Sequence, residues 1–98
     1  MTRDEILDCL RRNERALRAR GVAHAALFGS RARGDDDAES DIDILVEIMP
    51  DISMGVFAYV DVVHTIEDLF SERVDVSDRE ALKPHVRPAA EREAIYAF

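Results

Sequence analysis

Apolar residues recur along this chain in two rhythms, one near four residues and one of two. Ile6, Leu7, Leu10 and Leu17 follow the first, with Thr2 ahead of them as an N-cap and Glu5 three residues on to complete a capping box. Gly21 takes the position just past a helix end, so a single amphipathic helix is expected between Thr2 and Gly21, lying on a sheet with its Arg and Glu residues outward. Val22 to Phe28 is an apolar run bounded by glycines and predicts a first strand. Ser40-Asp41-Ile42-Asp43 with Ile44-Leu45-Val46 predicts a second strand, ended by Met49-Pro50-Asp51 because proline cannot continue a ladder. Ser53 is placed to cap a long helix in which Val56, Val60, Val63, Ile66 and Phe70, flanked by Phe57 and Leu69, form a wide apolar stripe for burial. Arg73-Val74-Asp75-Val76 alternates again as a third strand. Ala81-Leu82-Lys83-Pro84 suits a short turn, and Glu91 to Phe98 a terminal helix docking through Ile95 and Phe98. Helices alternating with strands in this way predict an α/β fold, a small mixed β-sheet with flanking helices.

Composition narrows the classes. Ninety-eight residues suit a single domain, residues 1–98. With 47% hydrophobic and 35% charged residues and no apolar run near ~20 residues, a soluble cytoplasmic protein without a membrane span is expected. The polar start Met1-Thr2-Arg3-Asp4-Glu5 does not resemble a signal peptide. The single cysteine, Cys9, rules out an internal disulfide and is expected to pack rather than react. A net charge of -8 argues against strong nucleic-acid binding, which depends on Lys and Arg neutralising phosphates, and favours a basic partner or a small substrate carried with metal.

The chemistry is concentrated between residues 29 and 46. Gly29 allows a tight turn out of the first strand, and Ser30 stands where an N-cap would open a helix whose N–H groups could hold phosphates, with Arg31 and Arg33 adding charge-assisted contacts. In the strand that follows, alternation puts Asp41 and Asp43 on one face, ~7 Å apart along the chain, and Ile42, Ile44 and Val46 on the other. Carboxylates this close repel, which invites a divalent cation of the Mg2+ or Mn2+ kind. Competing motifs fail on named residues: Gly34 is followed by Asp35-Asp36 where a P-loop needs Lys and Ser/Thr, a Rossmann turn lacks its third glycine, and an EF-hand would need glycine at Ser40 and glutamate at Val46. Asp35, Asp36, Asp37 and Glu39 are expected in a solvated loop, His24 and His64 in structural positions, and Glu47 exposed near the rim of the Asp43 face.

Gly29-Ser30, then Ala32-Arg33-Gly34, then Ser40-Asp41-x-Asp43 resembles the signature of the DNA polymerase beta-like nucleotidyltransferases, in particular their minimal antitoxin-type branch, the MNT domains paired with HEPN toxins. The resemblance implies a polymerase beta-like nucleotidyltransferase core. It extends to Asp75 as a third carboxylate from a neighbouring, valine-flanked strand, giving a two-metal site of Asp41, Asp43 and Asp75. It also implies nucleotide binding around Gly29, Ser30, Arg31, Arg33 and Ser40, ATP as donor, and a tyrosine hydroxyl of a HEPN ribonuclease toxin as acceptor. The alternative is an antitoxin that neutralises its partner by contact alone, its carboxylates vestigial; a small-molecule nucleotidyltransferase would normally need a second domain to hold the acceptor.

Overall fold

The computed structural model describes residues 1–34 and 40–98; the acidic residues Asp35, Asp36, Asp37 and Glu39 lie outside them. The capping box forms as the sequence requires: the Thr2 side chain accepts from the Glu5 amide, and the Glu5 side chain accepts from the Thr2 amide at 2.8 Å. One departure follows at once. The expected single helix is two, α1 (Arg3–Arg12) and α2 (Glu14–Ala19), because Asn13 leaves helical geometry and turns its side-chain amide back to the Cys9 carbonyl at 2.8 Å. Cys9 packs against the core, as expected.

β1 (Val22–Phe28) leads through Gly29 into a one-turn helix, α3 (Ser30–Arg33). β2 (Ile42–Ile48) returns antiparallel to β1, and α4 (Val56–Glu67) crosses over to β3 (Val74–Asp78), which runs parallel to β2. A 3-10 turn (Arg79–Ala81) and α5 (Arg87–Glu93) complete the helices. The expected terminal helix is cut short. Ala94 is extended, and Ile95–Tyr96 form β4, antiparallel to β1, with the Ala97 amide donating to the Ala25 carbonyl at 2.8 Å. Pairing there covers backbone groups that β1 would otherwise present at a sheet edge. The sheet order is β3-β2-β1-β4.

Strand alternation gives the sheet two unlike faces. Ala25, Leu27, Ile42, Ile44, Val46 and Val74 are buried together with Ile6, Leu10 and Leu17 of α1 and α2 and Val62 and Ile66 of α4, forming the core. The opposite face carries Phe28, Asp43, Asp75 and Glu47. Helix α4 differs from expectation in two respects. Gly55, not Ser53, stands at its N-cap, and its buried side is Val62 and Ile66, whereas Val56, Phe57 and Val60 are exposed. The segment is apolar almost all the way round, so helical spacing fits more than one face and the sheet selects one.

Candidate active site

The site begins with Gly29. Its φ of +77° lies in the left-handed region that side chains rarely adopt, and a Cβ there would overlap the Asp43 carboxylate. The position is therefore fixed twice, by its backbone and by the carboxylate packed against it. Gly29, rather than Ser30, is the N-cap of α3, and the amides of Ala32 and Arg33 both donate to its carbonyl at 3.1 Å. Ser30 is the first residue of the turn and makes no side-chain cap. Gly34, at φ +81°, closes it with its amide on the Ser30 carbonyl at 2.9 Å.

Asp43 stands in register with Phe28 on one side and Asp75 on the other. Asp41 lies one residue before β2. Asp43 is half-buried and Asp75 exposed. Burial holds the Asp43 carboxyl above the usual aspartate range, the charges of Asp75 and then Asp41 push it the same way, and Arg33 partly opposes them. All three expected carboxylates are thus brought within electrostatic reach of one point beside the Gly29 turn. Among the described residues, no three acidic, histidine or cysteine side chains stand close enough to form a ready-made metal cage. The donor set nevertheless fits a hard divalent cation: three oxygen ligands whose mutual repulsion a cation would relieve.

The other expected nucleotide contacts divide. Arg33 is exposed and donates to Glu93 of α5 at 3.0 Å. Arg31 is 6% exposed and faces inward. Its guanidinium donates at 2.7 Å both to Glu72 and to the Ser40 carbonyl, and at 3.3 Å to the Met1 carbonyl. A buried cation needs a paired anion, and through these contacts Arg31 fastens the entry of β2. Ser40 takes part through its carbonyl.

Glu47 also departs from the expected exposed position. It is half-buried and accepts from Arg79 at 3.0 Å and from the Tyr96 hydroxyl at 2.7 Å; Arg79 also reaches Glu91, which Arg87 holds at 2.8 Å. This network straps β4 and α5 to β2. His24 packs edge-on against Tyr96. Four residues near the site were not anticipated: Glu72, Glu93, Tyr59 and Tyr96. None falls in a recurring spacing, and each acts through a partner distant in sequence. Burial raises the Tyr59 phenol above its ordinary value, Asp78 and Asp75 add to this, and a contact with the Asp78 backbone pulls the other way.

Residues 4–97 match the family described as nucleotidyltransferase domain. The chain belongs to that family. Among relatives of this nucleotidyltransferase is the protein adenylyltransferase MntA of Thermococcus cleftensis, 32% identical over 97 residues, covering 98% of this chain and 96% of the relative. A solved structure of a candidate minimal nucleotidyltransferase is 29% identical, with a TM-score of 0.69 and coverage of 97% and 95% of the two chains. The same fold, at 16% identity and a TM-score of 0.63, occurs in the complex of tri-AMPylated Shewanella oneidensis HEPN toxin with MNT antitoxin, where the match covers 94% of this chain and 71% of the other. The expected small mixed sheet with flanking helices is the nucleotidyltransferase architecture observed here. Among the described residues no helix is long and apolar enough to cross a membrane.

Proposed function

We propose that this nucleotidyltransferase is a metal-dependent protein adenylyltransferase that moves AMP from ATP to a tyrosine hydroxyl of a cytoplasmic HEPN-type ribonuclease toxin and thereby silences it. The observation that carries the reading is the pairing of Asp43 with Asp75 on adjacent strands beside the Gly29 turn, with Asp41 near enough to add its charge. The names of the Thermococcus relative and of the Shewanella complex supply the acceptor class. Asp41, Asp43 and Asp75 are the residues that would hold Mg2+ or Mn2+, which supplies charge neutralisation at the phosphates and a lowered pKa at an acceptor hydroxyl. Ser30, Arg33 and the Ser40 segment take the departing phosphates, with Gly29 permitting the close approach of its neighbours. Asp75, exposed at the outer strand, receives the acceptor's proton. The acceptor oxygen bonds to the α-phosphorus as the bond to the bridging oxygen breaks, and pyrophosphate leaves.

The test is catalytic economy. With labelled ATP and Mg2+, a trace of the unaltered chain should label and silence a large excess of its cognate HEPN-type protein, and the partner should stay silent after the chain is removed. Chelator should abolish labelling, and Asp41→Asn with Asp43→Asn should lower it at least about a hundredfold. Protection needing one chain per partner, equal in the double variant and adding no mass, would establish a contact inhibitor instead.

A further inference from the structure

The first two turns of α4 carry apolar side chains that the fold does not use. Phe57 is 91% exposed, Val56 76% and Val60 40%, and Ile52 just ahead of the helix is 42% exposed. Residues three and four apart share a helix face, so Val56, Phe57 and Val60 form one stripe. Beside it opens a cleft of about 440 Å³ whose walls include Ile48, Met54, Tyr59 and Asp78. The surface is built rather than frayed. Met54 packs on the core, and Ile52 and Met54 lie over Gly21, whose φ of +102° and lack of a Cβ give them room.

Two observations say what covers it. The cleft runs along the outer strand that carries Asp75, on the α4 side of the sheet: Asp78, in register with core-facing Val46, lines it, and Tyr59 in its wall lies close enough to that strand to feel the charges of Asp78 and Asp75. Its surroundings are also acidic. Asp51 adjoins Ile52, Asp78 lies inside, and the nearby Arg79 is taken by Glu47 and Glu91, in a chain of net charge -8. A second copy would bring the same acidic rim against itself, whereas a basic-flanked apolar segment would meet complementary charge. We propose that the Val56–Phe57–Val60 stripe and its cleft dock the protein acceptor of the transfer reaction, through an apolar segment of that acceptor flanked by basic residues. This rests on the adenylyl-transfer reading above.

Phe57→Ser removes a side chain that supports no packing, and Asp51→Lys reverses one rim charge. Calorimetry against the cognate HEPN-type protein should show Phe57→Ser weakening the complex on the order of tenfold or more. Asp51→Lys should weaken it less and flatten its salt dependence. In the labelling assay both should raise the acceptor KM while ATP affinity, measured without acceptor, stays unchanged. If the unaltered chain transfers no label but its complex still depends on Phe57, the functional reading fails and the docking surface stands. Unchanged affinity and acceptor KM in both variants would overturn the proposal, as would sedimentation showing a dimer of this chain that Phe57→Ser converts to monomer.

Discussion

Asp43→Asn should make the metal-free protein more stable and the metal-loaded protein less so. Asp43 and Asp75 are register partners on adjacent strands, which are about 4.8 Å apart. Two unit charges at that separation repel by about 1 kcal/mol in water and about 3 kcal/mol at an effective dielectric of 20. Asp43 is half-buried, Asp75 is exposed and Arg33 offsets part of the repulsion, so the lower figure applies. In chelator Asp43→Asn should gain about 1 kcal/mol, or roughly 4–8 °C in melting temperature for a domain of this size. The pH dependence has a definite sign. Because the native carboxyl is raised, the folded state retains a proton that the unfolded chain has released, so the unaltered protein loses stability as pH climbs from the ordinary aspartate range through the native value. The gap to the asparagine variant should open across that window and persist above it. Adding Mg2+ at about a hundredfold excess over its dissociation constant should stabilise the unaltered chain by about 2.7 kcal/mol and reverse the order. Thermal melts in chelator and in Mg2+, at acid and neutral pH, read all of this. An asparagine variant less stable than the parent in chelator, or a parent indifferent to Mg2+, would refute the reasoning.

Two further substitutions probe what supports the site. Glu72→Gln removes a carboxylate that pairs with the buried Arg31 while Glu72 itself stands partly in water, so urea unfolding should show a loss of about 1–3 kcal/mol, below the usual figure for a fully buried pair; an unchanged midpoint would mean that this ion pair adds nothing to stability. Gly29→Ala should cost about 1–2 kcal/mol from its positive φ alone and more from overlap with Asp43, and it should depress nucleotide binding measured by calorimetry, with parental affinity counting against the turn.

Local rules made much of this structure legible. The bounds of β1, the Thr2–Glu5 capping box and the sharing of one face by Asp43 and Asp75 follow from spacing, because each depends on neighbours within a few residues or on the strand period. Where the sequence misled, the deciding partner was remote. Asn13 is the exception, a local partner: its amide turns back to Cys9 and interrupts a helix whose apolar period runs on. Helix α4 offers several apolar faces, and only packing against the sheet, chiefly β3, selects Val62 and Ile66. Ile95 and Tyr96 have the composition of either a strand or a helix end until the edge of β1 is available to pair. Arg31 and Arg33 look alike in sequence, yet Glu72, about forty residues away, draws one inward and leaves the other at the surface.

The order β3-β2-β1-β4 leaves β3 as an outer strand among the described residues. An outer strand with its backbone groups toward water can template the stacking of further chains, and charged side chains are the usual guard against it. Here the guard includes Asp75 itself, exposed near the middle of the chain's second parallel strand, with Asp78 at that strand's end. The carboxylate proposed to serve the chemistry is therefore also a guard on that edge. Replacing it with a β-prone apolar residue would remove a guard against edge pairing together with a proposed metal ligand, so the demands of folding and of the proposed chemistry would favour the same residue.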